Sequence, residues 1–96
     1  MARVNVFDKD VGTVIQLETG VDLTNAVEVA ILAEDPHGET HILDASVTDT
    51  TKIKHVKRAD TLHIPGKWRL QAYVKFSDGS EYYGEIATLL VGETLT

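Results

Sequence analysis

Histidines and loop aspartates are the residues of this 96-residue chain that could hold a metal ion. His37 and His41 flank a turn sequence and could approach one another, but no third ligand stands at a spacing typical of zinc sites. Asp8, Asp10 and Asp22 offer carboxylates of the kind that Ca²⁺ prefers, yet their spacing matches no calcium-loop motif. We therefore expect all four histidines to be solvated, the aspartates to cap turns, and no metal to be bound.

Aromatic side chains provide a second chemistry, the stacking of sugar rings. Trp68, Tyr73, Tyr82 and Tyr83 would form such a platform if all four lay on the surface. Strand alternation buries Trp68 and Tyr82, which leaves Tyr73 and Tyr83 outside. An exposed tyrosine pair equally suits contact with a protein neighbour, because tyrosine is enriched at protein interfaces.

Signatures of catalysis and of cofactor binding are missing from the sequence. The serines, at 46, 77 and 80, stand in no nucleophile-elbow context. There is no glycine-rich phosphate loop, and the absence of cysteine excludes a disulfide framework and thiolate metal sites. We expect no enzymatic activity, no cofactor and no small-molecule ligand.

The element that must position the exposed tyrosines is the stretch Gly66–Phe76. Its residues alternate between apolar and polar over ten positions, which predicts a strand with one face in a core and one in water. The inner face is predicted to hold Trp68, Leu70, Ala72, Val74 and Phe76, and the outer face Lys67, Arg69, Gln71, Tyr73 and Lys75.

Turn sequences every eight to twelve residues separate seven or eight short strands, with no convincing helix. This pattern predicts one domain over residues 1–96, an all-β, two-sheet antiparallel immunoglobulin-like β-sandwich, with a small closed barrel as the alternative. Asn25–Leu32 tolerates a helix by composition, but its alternating β-branched residues favour a strand. Both faces of this strand are fairly apolar, which predicts a central strand covered on both sides. Thr40–Val47 follows it as a hairpin partner, basic Lys52–Val56 is predicted as an edge strand, and Thr61–Ile64 as a short extended segment.

The last hairpin joins Gly66–Phe76 to a strand from Glu81 to Val91. A two-residue turn would bury Glu85, whereas a three-residue loop with Gly79 in the left-handed conformation leaves it outside. Burying an unpaired carboxylate costs several kcal/mol, far more than the difference between turn types, so we predict the three-residue loop. In that register the residues on the Trp68 face are Tyr82, Gly84, Ile86 and Leu90, and those outside are Glu81, Tyr83 and Glu85.

Charge is distributed unevenly along the chain, whose net charge is −6. Residues 1–49 and 76–96 are acidic, while residues 50–75 carry seven bases against Asp60 alone. This uneven charge has two possible meanings. It could complement a copy of the chain or an acidic neighbour, or it could belong to solvated strand faces that have no partner. An acidic total with few aromatics argues against nucleic acid. Because Met1–Val6 lacks the apolar run of a signal peptide and no stretch is long enough to span a membrane, we expect assembly in the cytosol.

Short motifs in a fixed order along residues 11–92 resemble the immunoglobulin-like domains of tailed-bacteriophage structural proteins. The similarity is greatest to the N-terminal domain of siphophage baseplate upper proteins. The motifs are Asp22-Leu23-Thr24-Asn25-Ala26, Asp35-Pro36-His37-Gly38, Pro65–Val74, Asp78-Gly79 and Leu90-Val91.

The resemblance implies a non-enzymatic virion component, assembled in the host bacterial cytoplasm, that docks onto the tail, neck or baseplate as one copy of a symmetric ring. Its partners would be other phage structural proteins and copies of itself. Because the baseplate proteins continue into further domains and this sequence stops at Thr96, an adaptor or decoration role is expected rather than host recognition. A carbohydrate-binding or adhesion module is the alternative. The candidate protein-contact patch consists of Arg69, Tyr73, Lys75, Tyr83 and Glu85.

Overall fold

Eight β-strands in two sheets form the part of the chain that the structure, a computed structural model, describes, residues 6–95. The start of the N-terminal stretch examined for a signal peptide, Met1–Asn5, and Thr96 lie outside that range. None of the described residues forms a helix able to cross a membrane. The strands are β1 (Val6–Phe7), β2 (Val14–Glu18), β3 (Ala26–Glu34), β4 (Thr40–Asp44), β5 (Ser46–Asp49), β6 (Lys52–Val56), β7 (Gly66–Phe76) and β8 (Glu81–Gly92).

The order of the strands confirms the immunoglobulin-like sandwich. One sheet has the order β1-β8-β7-β3-β4 and the other β2-β6-β5. In chain order, β2 to β8 take the places of strands B, C, C′, D, E, F and G of immunoglobulin domains, which divide into a G-F-C-C′ sheet and a B-E-D sheet. The short β1 runs parallel to β8, and the other described pairs are antiparallel.

The inner face of β7 is the centre of the core, as its alternation predicts. Trp68, Leu70, Ala72 and Val74 are buried, and Phe76 is partly buried against them. Ile53 from the three-stranded sheet belongs to the same cluster, so the core joins the two sheets. Each fully buried large apolar side chain contributes about 1.5–3 kcal/mol, which makes this face the main source of stability.

The β7–β8 hairpin has the predicted three-residue loop. The Phe76 N–H donates to the Ser80 carbonyl at 2.9 Å, and the Gly79 N–H donates to the Phe76 carbonyl at 2.9 Å. Gly79 has a φ of +91°, in the left-handed region. Glu85 is exposed, so the hairpin keeps this carboxylate out of the core.

A β-bulge beyond Tyr83 reverses the alternation for the rest of β8. Tyr73 lies opposite Tyr83, but Gln71 lies opposite Ile86, so Gly84 and Glu85 together face the single residue between Gln71 and Tyr73. The extra residue turns every later side chain to the opposite face. The placement of Ile86 and Leu90 on the Trp68 face is therefore wrong, and the residues buried there are Leu89 and Val91.

Two other segments differ from their sequence-based predictions. Lys52–Val56 (β6) is the central strand of the three-stranded sheet rather than an edge. Its Lys52 lies opposite Glu18 on β2 and Asp49 on β5, so the basic residue reflects cross-strand charge pairing. Thr61–Ile64 is not extended, because Leu62 adopts a left-handed φ of +50° while its side chain is fully buried.

The strand β3 is central, as predicted, but the structure covers only one of its faces. Ile31 and Ala33 are fully buried in the core, whereas Leu32 on the opposite face is only half-buried. Its neighbour β4 ends at Asp44, and after Ala45 the chain passes to the other sheet as β5. The predicted Thr40–Val47 strand is thus two strands, and the outer face of β3 and β4 lies open.

Candidate protein-contact surface

Four of the five residues of the predicted contact patch share the outer face of the five-stranded sheet. Arg69, Tyr73 and Lys75 project from β7, and Tyr83 lies directly opposite Tyr73 on β8. The two tyrosine rings have their centroids 5.3 Å apart and are tilted by 53°. Glu85 lies at the bulge and lines a separate shallow depression that includes Tyr82 and the loop after β2.

Charged residues border this face at both ends. At one end Lys75 lies between Glu28 on β3 and Glu81 on β8. At the other end Arg69 Nη1 on β7 donates to Glu34 Oε1 on the neighbouring β3 at 3.2 Å. The Arg69–Glu34 ion pair is largely exposed, so by itself it contributes little to stability. Together with Lys75, Glu28 and Glu81 it gives the face a defined pattern of charge.

The hydroxyl of Tyr73 is bound within the patch. It donates to Glu81 Oε1 at 2.6 Å, and this hydrogen bond is the main reason that the pKa of Tyr73 is raised from 10.0 to about 12. The phenol and the carboxylate therefore form one fixed unit beside Tyr83. The hydrogen bond holds the Tyr73 ring in a defined orientation beside Tyr83.

Between the charged ends runs an apolar row that the sequence prediction missed. Leu32 on β3 lies opposite Ile42 on β4 and Gln71 on β7, and Gln71 lies opposite Ile86 on β8. Ile42 is 75% exposed and Ile86 is 52% exposed. Ile86 was missed because the bulge was not foreseen. The apolar outer face of Asn25–Leu32 was the signal in the sequence that could have revealed the row.

The face is shaped by two shallow depressions on either side of Leu32. One is bordered by Ile42, Tyr73 and Tyr83, and the other by Ile86 and Arg69. Neither encloses a converging set of acid, base or nucleophile.

A sugar-stacking platform is not formed by the four aromatic residues. Trp68 is 1% exposed, and its Nε1 donates to the Ile64 carbonyl at 2.8 Å. Tyr82 packs partly buried against the core. On the outer face Tyr83 is 54% exposed and Tyr73 is half-buried, and their rings do not lie in one plane.

The histidines differ from the prediction at one position. His55 is buried, which contradicts the expectation that all four are solvated. Its Nδ1 lies 2.7 Å from the Asp44 carbonyl, which can only accept, so Nδ1 carries the proton and Nε2 pairs with Thr61 Oγ1 at 3.0 Å. His55 is thus a hydrogen-bonded core residue.

The β3–β4 hairpin collects three potential metal ligands, Asp35, Glu39 and His41, whose ligand atoms lie within 4.8 Å of one another. Asp35 is buried, and its Oδ1 accepts the N–H groups of His37 and Glu39. Its Oδ2 lies 2.9 Å from His41 Nε2, and this hydrogen bond holds the pKa of Asp35 below its ordinary value. The carboxylate is satisfied by the turn that it closes.

The three loop aspartates cap backbone groups, as predicted. Asp22 Oδ1 accepts the Thr24 N–H, and Asp10 Oδ2 accepts the Phe7 N–H. Asp8 Oδ1 accepts the Thr94 N–H. Each carboxylate has a structural partner within the chain.

Comparison of the chain with protein-family models, with curated proteins and with solved structures found no match.

Proposed function

We propose that this chain is a non-enzymatic structural module that binds other proteins through the outer face of its five-stranded sheet. The observation that carries the proposal is the apolar patch of Leu32, Ile42 and Tyr83 around one shallow depression, with Ile86 beyond Gln71 in the same row. Single exposed apolar residues are ordinary, whereas a contiguous apolar patch with a polar rim is typical of an interaction site. The charged residues at both ends would restrict which partner can dock.

The resemblance to phage immunoglobulin-like domains supports a more specific proposal. The module would be a virion component of a tailed bacteriophage or prophage, assembled in the host cytoplasm. It would act as an adaptor or decoration on the tail, neck or baseplate. Its partners would be other virion proteins and further copies of the chain. The immunoglobulin-like strand order is compatible with this role, which rests on the resemblance of the sequence motifs.

A carbohydrate-binding or adhesion module is the second candidate, and the outward-facing Tyr73–Tyr83 pair favours it. The tilt between the rings and the bond from Tyr73 to Glu81 fit a sugar less well than a protein surface. Glycan-array binding that is lost in Tyr83→Ala but kept in Ile42→Glu would support this candidate instead.

The proposal is tested first on purified phage particles from a strain that carries the gene. Mass spectrometry should find the protein at a constant ratio to known tail proteins. Absence of the protein from repeated preparations of purified particles would contradict the virion role.

The docking face is then tested with purified tail, neck and baseplate proteins in a surface-binding assay. Ile86→Glu and Val14→Glu are matched variants, since both residues are 52% exposed but Val14 lies on the other sheet. We expect Ile86→Glu to weaken binding at least tenfold and Val14→Glu to leave it unchanged. Equal effects of the two substitutions would show that another surface docks.

A further inference from the structure

We propose that the outer face of the five-stranded sheet binds a second copy of this chain, face to face, about a two-fold axis that runs along the strands between β3 and β7. This inference rests on the proposed function, because it names a partner for the same face. It differs from the expected ring contacts in being isologous, so that the same patch serves on both copies.

The axis follows from the register of the sheet. A two-fold rotation about a line in the face, parallel to the strands and midway between β3 and β7, places β3 of one copy over β7 of the other. It also places β4 over β8. Residues that lie opposite one another on neighbouring strands form a row across the sheet, and the rotation keeps each row at the same height along the strands. A residue on β3 therefore faces the β7 residue of the same row in the other copy, and a residue on β4 faces the β8 residue.

The row of Ile42, Leu32, Gln71 and Ile86 faces its own copy under this rotation, with Leu32 against Gln71 of the second copy. Ile42 on β4 meets Ile86 of the second copy, because both belong to the row through Leu32 and Gln71. The half-buried side of β3, which its sequence predicts to be covered, becomes covered. The row lies near the middle of the face, where a rotation of about 30° between packed sheets displaces residues least.

The charges at the ends of the face match in the same arrangement. Glu34 meets Arg69 of the other copy at one end, and Glu28 meets Lys75 at the other. The long Arg69 and Lys75 side chains can bridge the lateral offset between the twisted sheets. Both acids of β3 thus face bases of the other copy, and Glu34, which is already paired with Arg69 of its own chain, lies between two guanidinium groups.

The other two-fold axis in the plane of the face gives a mismatch. An axis across the strands would place β3 over β3 and β7 over β7, with opposite ends of each strand in contact. Glu28 would then face Glu34, and Lys75 would face Arg69. Like charges at an interface oppose association, so the charge pattern selects the axis along the strands.

The size of the face sets the expected strength of the dimer. Four strands spaced about 4.8 Å apart, contributing seven residues each, make a footprint of roughly 400 Å² per copy. The total of about 800 Å² lies below the roughly 1,200–2,000 Å² that stable specific interfaces bury, so we expect a weak, transient dimer with a dissociation constant on the order of 100 µM. Such a dimer exchanges in dilute solution and is favoured where copies are held close together.

Sedimentation equilibrium of the full chain from about 5 µM to 1 mM measures the association. We expect a reversible monomer–dimer equilibrium that Ile86→Glu abolishes and Val14→Glu preserves. Circular dichroism and thermal melting should show that both variants keep the fold. A chain that is monomeric at 1 mM, or that dimerises equally in both variants, would overturn the proposal.

The axis is tested by cross-linking, which the absence of cysteine from the chain makes free of background. Ile42→Cys and Ile86→Cys variants are treated with a short bismaleimide, alone and mixed, with one variant carrying a mass tag. The strand-parallel axis predicts cross-linking in the mixture only, since facing residues lie about one sheet spacing of 10 Å apart. Cross-linking of either variant alone would indicate the other axis and contradict the proposal.

The two proposals can fail separately. A monomeric chain that is present in particles and loses tail-protein binding in Ile86→Glu would leave the proposed function standing with a different protein on the face. A dimer with the expected cross-links that is absent from virions would support the dimer proposal and contradict the proposed virion role.

Discussion

At the scale of single residues, Lys57 is a fully buried cation held by backbone carbonyls. Its Nζ donates to the carbonyl oxygens of Asp8, Asp10 and Arg58, at 2.8, 2.9 and 3.3 Å. Burial lowers the pKa of Lys57, and the nearby Asp10 and Asp8 partly offset this. The side chain ties the segment after β1 to the segment after β6.

Replacement of Lys57 by methionine should destabilise the fold. The apolar side chain fills a similar volume but leaves three carbonyl acceptors without their donor, so we expect a loss of about 2–4 kcal/mol in the free energy of unfolding. Urea denaturation followed by Trp68 fluorescence measures this. Lys67→Met, at an exposed lysine, is the matched control and should change stability by less than about 0.5 kcal/mol. Equal stability of both variants would contradict the structural role.

Tyr73 should be the tyrosine that titrates near pH 12. Its hydrogen bond to Glu81 raises its pKa from 10.0 to about 12, so the spectrophotometric titration at 295 nm should lose its highest-pH step in Tyr73→Phe. In Glu81→Gln the step should move towards pH 10. Because the pKa in the folded state is raised, the stability that this bond contributes is complete below pH 10 and is lost as the pH rises through about 12. An unchanged titration in Glu81→Gln would refute the assignment.

Individual residue environments were the least predictable from sequence. A histidine in an alternating strand and a lysine in a turn segment are both ordinarily solvated. His55 and Lys57 are buried because acceptors from distant segments, the Asp44 and Asp8 carbonyls, converge on them. Only the tertiary fold supplies those acceptors, so local patterns do not reveal them.

At the scale of elements, local patterns predicted the β7–β8 hairpin up to the bulge. The loop and the placement of Tyr82, Tyr83 and Glu85 followed from the cost of burying a carboxylate, and the structure confirms them. From Ile86 onwards the prediction was wrong, because one inserted residue reverses all later positions. A glycine inside a strand is a known sign of a bulge, so this element did contain the missing signal.

The turn before β4 and the start of β7 meet at a contact that requires glycine. Gly66 has a φ of +133°, and a Cβ built on it would lie 2.6 Å from Pro36 Cγ. Gly66→Ala should therefore cost about 2–4 kcal/mol of unfolding free energy, from backbone strain and steric overlap together. Gly79→Ala is the control, since its φ is also positive but no atom lies within 4 Å of its Cβ position.

Thermal melting of the two glycine variants separates these contributions. Gly79→Ala should lose about 1 kcal/mol from strain alone. If Gly66→Ala were no less stable than Gly79→Ala, the contact with Pro36 would not constrain the fold.

At the scale of the whole molecule, the fold class and strand number followed from turn spacing and alternation, and the structure confirms them. The sequence did not reveal which faces stay open. Apolar residues on both sides of β3 indicate that both of its faces are shielded from water. Whether the second sheet packs on a given face depends on how the strands divide between the two sheets. That division puts Leu32 outside.

Acid should weaken the folded state as a whole. Hydrogen bonds lower the pKa of five carboxyls, with the main donors being Gly20 N–H for Glu18, Thr24 for Asp22, His41 for Asp35, Arg58 for Asp44 and Ser80 for Asp78. The folded chain thus binds protons more weakly than the unfolded chain. The resulting stability is complete above about pH 4–5 and is lost as the pH falls through the lowered values.

Urea unfolding between pH 6 and pH 2 tests this, with Asp35→Asn as the comparison. The wild type should be more stable than Asp35→Asn near pH 6, and the difference should shrink as the pH falls and Asp35 is protonated. A difference that stays constant to pH 2 would contradict the assigned role of the carboxylate.

The pairing of β1 with β8 governs the order in which the chain can fold. Val6 lies beside Val91, and the Asp8 carboxylate accepts the Thr94 N–H across 86 positions of sequence. Contacts between such distant positions give a high contact order and slow refolding, in milliseconds to seconds for sandwiches of this kind. During synthesis, β7 has no β8 to pair with until β8 leaves the ribosome. The open edge of β7 is therefore exposed to chaperones and to other nascent chains until β8 arrives.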